Sequence, residues 1–271
     1  MPTPDEPAVL GLRELARRGW ADLVGLVLPV ACAGCDAPDV VLCAACSARL
    51  EAGPERCEEA AGRLDRMDGR GALPVWATTP YTGPVRELVV AWKDRGRADV
   101  TPALVRAADS AGRTLGPPLG AALGALAGDP TLLVVPVPST AAARRRRGED
   151  LVGRLARAVA SGLVEGGCPA RAEPCLARRG GGRDQVGLTG RARGRNLAGR
   201  VGVRARYRDA VTGRRVLLVD DVLTTGATLA ACESALSGAG AEVLAGWVLA
   251  ATPPPGRRND AIGRNVSAGL A

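Results

Sequence analysis

Val216-Leu217-Leu218-Val219-Asp220-Asp221-Val222-Leu223-Thr224-Thr225-Gly226-Ala227-Thr228 is the stretch from which the rest of the chain can be read. Its four leading apolar residues predict a strand buried on both faces, and that strand runs directly into two adjacent carboxylates. Neighbouring aspartates at a strand end lose solvation and repel each other unless something positive or hydroxylic meets them. Thr224–Thr228 then sets small hydroxyl residues around a glycine and opens a helix. Its backbone N–H groups and the helix dipole converge on a site for one phosphate. Carboxylates beside such a cradle suit a phosphorylated sugar. The acids take ribose hydroxyls or a magnesium ion, and the loop takes the phosphate. A Walker-type loop needs its own lysine, and Lys93, the sole lysine, is far away in sequence. No Gly-x-Gly-x-x-Gly follows a strand, so the dinucleotide fingerprint is missing as well.

Outward from this stretch, strand and helix patterns alternate. Arg215–Val219 is the strand that enters it, Thr225–Ser237 the helix that leaves it, and Glu242–Ala250 the next strand. Upstream, Asp150–Leu163 predicts a helix with Leu151, Leu155, Ala158 and Val159 on one face. Thr131–Val137 is a buried strand ending in prolines, Pro84–Trp92 and Thr101–Thr114 are helices, and Pro74–Tyr81 is a short strand. Strands separated by helices of this length indicate an α/β domain with a parallel, doubly wound sheet flanked by helices. Ligands then bind beyond the carboxyl ends of the strands.

This domain is expected over 73–252. Before it come an N-terminal segment, 1–31, a cysteine knot, 32–50, and a charged, glycine-interrupted linker, 51–72. Within the first, residues 8–28 read as an amphipathic helix carrying Leu10, Leu12, Leu15, Leu23, Leu26 and Val27, stopped by Pro29. The proline-led polar tail, 253–271, is expected to be disordered.

Composition removes several chemistries. With no histidine among 271 residues, no Ser-His-Asp triad, Cys-His pair or imidazole metal ligand can form. The net charge of +8 is arginine charge, and it is clustered: Arg144–Arg147 form one run, and residues 171–208 hold eleven arginines against Glu173 and Asp184. Such clusters favour a polyanionic partner, either nucleic acid or a small phosphorylated ligand. Tyr207 is the sole aromatic in 171–208, so a ladder for stacking single-stranded bases is missing, while duplex phosphate contacts remain open. No run approaches the ~20 apolar residues of a membrane span, and the opening residues lack the pattern of a secretory leader. A cytoplasmic protein with reduced thiols is therefore expected.

Cys32-x-x-Cys35 and Cys43-x-x-Cys46 present four sulfurs as two knuckles separated by seven residues. Four thiolates aimed at one point match a tetrahedral zinc ion with no open position, which makes the site structural rather than catalytic. An iron–sulfur cluster or a redox pair lacks supporting context. Cys168, Cys175 and Cys232 are scattered and read most simply as small core or loop residues.

Val216–Thr228 closely resembles the phosphoribosyl-pyrophosphate signature of type I phosphoribosyltransferases. Further pieces resemble the ComF family, the competence-protein-like members of that superfamily. They are the four-cysteine knot, Tyr81-Thr-Gly-Pro with Trp92-Lys93, Val135-Pro-Val-Pro138 with Arg147-Gly148, and Gln185-Val-Gly-Leu188 with Arg193 and Asn196. The resemblance implies a type I phosphoribosyltransferase-like fold and transfer of a phosphoribosyl group to a nitrogen acceptor with release of pyrophosphate. Asp220 and Asp221 would hold the ribose hydroxyls, directly or through magnesium. Val222, Thr224, Thr225, Gly226, Ala227 and Thr228 would form the 5-phosphate loop. Pro136, Val137, Pro138 and Ser139 would face the pyrophosphate, whose charge Arg147 would meet. Arg178–Asn196 would be a mobile flap carrying Gln185, Arg193 and Asn196, and Lys93 would join the substrate site. Where the family usually carries Phe-Asn-Gln after Arg-Gly, Glu149 and Asp150 follow here. The alternative reading is a non-catalytic sugar-phosphate-binding or nucleic-acid-associated protein acting in competence-type DNA uptake. Pairing of two copies is an expectation by analogy with the superfamily.

Overall fold

The computed structural model describes residues 30–66, 69, 71–125, 128–139, 150–178 and 201–254. The helix expected over 8–28 and the tail beyond 254 lie outside these residues. In chain order the described elements are α1 (Ala44–Ala48), β1 (Glu55–Arg56), β2 (Asp65–Arg66), β3 (Gly71–Ala72) and β4 (Val75–Pro80). They continue with α2 (Gly83–Asp94), α3 (Thr101–Gly124), β5 (Leu132–Pro136), α4 (Leu151–Glu165) and β6 (Ala170–Ala172). After them come β7 (Leu176–Arg178), β8 (Val201–Val203), α5 (Arg208–Val211), β9 (Arg215–Leu223), α6 (Ala227–Ser237) and β10 (Glu242–Ala251).

A six-stranded sheet in the order β1-β4-β10-β9-β5-β6 forms the centre. Every pairing in it is parallel except that of β1 with β4. The sequence pattern supports this arrangement: β5 and Val216–Val219 of β9 are unbroken apolar runs with both faces buried. From β5 the chain crosses through α4 to β6 at one edge, and from β9 it crosses through α6 to β10 on the other side. Right-handed crossovers that leave in opposite directions put their helices on opposite faces. Accordingly α2, α3 and α4 build one core layer around Trp92, Leu104, Leu155 and Trp247. The other face packs α6, β7 and β8 around Val211, Leu218, Cys232 and Leu236. The chain is thus α/β, with a mostly parallel sheet flanked by helices. Among the described residues no helix is long and apolar enough to cross a membrane.

Within the stretch 51–72, expected as a linker, described residues between 55 and 66 pack against the sheet. β1 pairs with β4, and the Val75 N–H donates to Glu58 at 3.2 Å. Arg66 pairs with Glu233 of α6 at 2.6 Å and donates to the Val243 carbonyl at 2.9 Å. Leu64, the single leucine in this stretch, is fully buried beneath the start of α6. Charged side chains conceal this from a periodicity reading, because they act here one at a time rather than along a face.

The cysteine knot docks on the same body. Arg97 donates to the Ala31 and Val41 carbonyls at 3.0 and 3.4 Å, and Ala33 and Leu50 join the core layer beside Leu88 and Trp92. A Cβ on Gly34 would fall 2.9 Å from Cys46 Sγ and 3.0 Å from the Pro84 carbonyl oxygen, so the knot sits directly on the first turn of α2.

Candidate functional site

Topology picks the cleft before any side chain is considered. The two crossovers diverge between β5 and β9, and ligands of open parallel sheets bind outside the carboxyl ends of strands at such a switch point. β5 pairs with β9 only as far as Pro136 opposite Val219, with one further bond from the Val137 N–H to the Val219 carbonyl at 2.8 Å. β10 continues beside β9 as far as Leu223. Asp220 and Asp221 therefore begin where the β5 ladder stops, at the floor of the opening between the two strands.

The two carboxylates meet different surroundings. Asp221 is 7% exposed, and Lys93 Nζ from the last turn of α2 lies 2.9 Å from both of its oxygens. Burial works against the Lys93 ammonium, but the Asp221 carboxylate, with Asp220 behind it, holds the lysine pKa above its ordinary value. Asp220 lies toward Arg178 and Cys232, and its Oδ1 accepts the Asp221 N–H at 2.9 Å. Burial, reinforced by the adjacent Asp221 charge, pushes the Asp220 carboxyl up to about 8.

The loop after the acids is shaped by Gly226, at φ +77 and ψ −3, which is the N-cap of α6. No side chain caps this helix through Gly226, and its first turn holds no acidic residue. Beyond the Ala227 N–H, its leading N–H groups and positive dipole end are open to an anion. Thr224 and Thr225 are exposed at the rim, with Thr225 Oγ1 accepting from the Ala227 N–H at 3.4 Å. Val222, Ala227 and Thr228 are half-buried beside them.

Across the opening, Pro136, Val137 and Pro138 are buried and Ser139 is half-buried. Arg147, Gln185, Arg193 and Asn196 lie outside the described residues. So does most of the expected flap; the described strands on either side of it, β7 and β8, pair antiparallel. Asp150 caps α4, its Oδ1 accepting the Gly153 N–H at 3.3 Å, which gives that carboxylate a structural partner.

Sequence reasoning missed two residues here. Arg178 was read only as the start of the flap, yet its Nε donates to the Pro138 carbonyl at 3.0 Å and its charge acts on Asp220. No sequence signal separates it from its arginine neighbours. Leu64 supports Gly226 from below, and its isolation in a charged stretch was the available clue.

At the second site the sulfurs of Cys32, Cys35, Cys43 and Cys46 lie within 4.8 Å of one another. A tetrahedral zinc ion with sulfurs at about 2.3 Å separates them by about 3.8 Å, so the cluster has the dimensions of such a centre. Burial opposes ionisation of Cys32, but N–H groups of Cys43, Gly34 and Cys35 bring its thiol down to about 6. Burial and the neighbouring sulfurs push Cys46 up. Four cysteine sulfurs at this spacing could hold a structural zinc ion as thiolates. Protein purified reduced and without chelator is expected to carry about one zinc per chain by elemental analysis, and a zinc content near zero would remove the assignment. Cys168, Cys175 and Cys232 are fully buried, as expected of core residues.

No family model matches the chain, and a search of curated proteins finds no match either. Among solved structures it is similar to the allosteric regulatory enzyme of purine biosynthesis, at 26% identity and a TM-score of 0.28. The likeness covers 52% of this chain and 25% of that one, so the chain spans about a quarter of the length of the structure it matches. A superposition this loose carries no argument about the fold or the site.

Proposed function

We propose that the chain binds phosphoribosyl pyrophosphate and transfers its phosphoribosyl group to a nitrogen acceptor, releasing pyrophosphate. The observation that carries this reading is the placement of Asp220-Asp221 and the Thr224–Thr228 loop at the β5/β9 switch point, facing Pro136–Ser139. The sequence resemblance to the ComF branch of type I phosphoribosyltransferases supports it.

In this reading the N–H groups at the start of α6 and the Thr224 and Thr225 hydroxyls hold the 5-phosphate, and the acid pair holds the ribose hydroxyls. That anchors the sugar while the bond from its anomeric carbon to the pyrophosphate oxygen breaks. An oxocarbenium-like state follows, the acceptor nitrogen bonds to the carbon, and that nitrogen then loses a proton. Negative charge grows on the leaving pyrophosphate, and preorganised cations offset such charge strongly in a water-poor cleft. Arg178 from the hairpin base, with Arg147 and Arg193 on sequence grounds, supplies them. Gln185 and Asn196 belong to the flap that excludes water from the donor. Magnesium, when bound with the donor, neutralises part of the pyrophosphate charge. Asp220 fits it, because magnesium keeps several waters and takes one or two carboxylates alongside substrate phosphates. No histidine is required.

Calorimetry with phosphoribosyl pyrophosphate and magnesium tests the reading. Binding tighter than millimolar is expected, weakened about a hundredfold in Asp220→Ala/Asp221→Ala. Wild-type affinity in that variant would show that the sugar site is misplaced. Pyrophosphate release across a panel of nucleobases and amines then separates turnover from binding alone.

A further inference from the structure

The two aspartates differ in a way that their adjacency in sequence conceals. Lys93 Nζ lies 2.9 Å from Asp221 Oδ1 and 2.9 Å from Oδ2, in the position that a chelated metal would take. We infer that Lys93 is a built-in monovalent cation for Asp221, so that this carboxylate accepts a sugar hydroxyl without a divalent ion of its own. The inference rests on the sugar-phosphate reading of the cleft and deepens it by dividing the acid pair. Asp221 is permanently paired, and Asp220 alone is left to a metal carried in with the ligand.

Three observations support a permanent pairing. Asp221 is buried, and a buried carboxylate is tolerated when it has a close, well-aligned cation. Lys93 is not a surface lysine that happened to fold over, because α2 holds its backbone at both ends. Pro84 in the first turn abuts Gly34 of the knot, and Trp92, next to Lys93, donates from its fully buried ring to Thr101 Oγ1 at 3.0 Å. Finally, Lys93 lies in the last turn of its helix, where the macrodipole favours positive charge. A second cation on the same oxygens would be repelled by the ammonium. A carboxylate has about four acceptor positions, so those that the ammonium leaves can still take a hydroxyl.

On this account Lys93 is a positioning residue: it fixes and neutralises Asp221 rather than touching the reacting atoms. The test uses ribose 5-phosphate, which carries the sugar and the loop phosphate but no pyrophosphate to bring magnesium. On the full chain, calorimetry is expected to give the same affinity with and without magnesium. Lys93→Met should bind about tenfold more weakly in magnesium-free buffer, with much of the loss recovered on adding magnesium. Lys93→Arg should keep binding metal-independent. If Lys93→Met fails to fold because it strands a buried charge, the neutral pair Lys93→Met/Asp221→Asn is compared with Asp221→Asn alone. The two should then bind equally, and magnesium should help neither.

A magnesium requirement in the wild-type chain, or an unchanged Lys93→Met, would overturn the inference while leaving the sugar-phosphate reading standing. A further loss in the neutral pair relative to Asp221→Asn would also overturn it, since Lys93 would then be acting on something other than Asp221. Wild-type protein that binds neither ribose 5-phosphate nor phosphoribosyl pyrophosphate would overturn the reading itself, and the inference with it.

Discussion

Gly162→Val is expected to lower stability by about 3–5 kcal/mol, or about 10 °C in melting temperature, the largest loss for any single methylated position on the α3–α4 seam. A Cβ at Gly162 would land deep inside contact distance of the Asp109 carbonyl oxygen and 2.9 Å from the Arg113 nitrogen. The facing Gly112 has the reciprocal problem, with the Val159 carbonyl and the Leu163 nitrogen in the way, and Gly116 and Gly166 touch backbone to backbone further along. These obstacles are main-chain atoms, so no rotamer change relieves them and the helices must separate along their whole shared length. Separation opens voids around Ala108, Leu155 and Val159, all fully buried. Gly53→Val is the control, because a Cβ there meets nothing within 4 Å and its backbone is unstrained. Thermal and urea unfolding followed by circular dichroism should separate the two variants cleanly. Equal stability would show that the seam is not closely packed.

The same seam marks where sequence reading stopped short. α3 was expected over Thr101–Thr114 and runs to Gly124, through Pro117 and Pro118. Two prolines inside a helix remove backbone donors and crowd the preceding turn, which is why a break is the default reading. The apolar stripe nevertheless continues past them, through Ala108, Ala111, Leu115, Leu119 and Leu123, all buried. Tertiary packing on α4 outweighed the local propensity, and the continuing stripe was the better guide. By contrast, β5, α4, β9, α6 and β10 fall within two residues or so of expectation, except that β9 continues past the acids to Leu223. A buried parallel strand and the helix after it obey one periodicity at a time, so both are legible.

The site divides along the same line. For residues contiguous in sequence, Asp220 through Thr228 and Pro136 through Ser139, the placement on strand end, loop and helix start was readable because it follows from local residue order. The pairing of Lys93 with Asp221 joins residues 128 apart, and the Arg178 contact with Pro138 joins residues 40 apart. Neither could be read from spacing. Both depend on how helices and hairpins dock, and docking is decided by small residues such as Gly34 and Gly112 whose roles appear only in three dimensions.

Gly226→Ala is expected to weaken ribose 5-phosphate binding by about a hundredfold while costing about 2 kcal/mol of stability. Two independent obstacles act on one methyl group. The backbone there has φ +77, a left-handed conformation that L side chains adopt at a cost of about 1 kcal/mol or more. The added Cβ would also fall 2.6 Å from Leu64 Cγ, 2.9 Å from its Cδ2 and 3.3 Å from Ala61 Cβ. Leu64 is 1% exposed and has nowhere to go, so the loop must rise. Rising tilts the N–H groups of Ala227, Thr228 and Leu229 away from a common point, and a phosphate cradle works only while those donors converge. The loss should thus fall on ligand affinity at least as heavily as on folding, since a hundredfold is about 2.8 kcal/mol. Leu64→Ala separates the two obstacles. Alone it should cost about 2–5 kcal/mol of stability, from the cavity it leaves, yet preserve binding. Combined with Gly226→Ala it should restore part of the lost affinity, because the clash is gone while the backbone strain remains. If Gly226→Ala binds ribose 5-phosphate as tightly as the wild type, the loop's conformation does not matter to the ligand. The start of α6 would then not be where the phosphate sits.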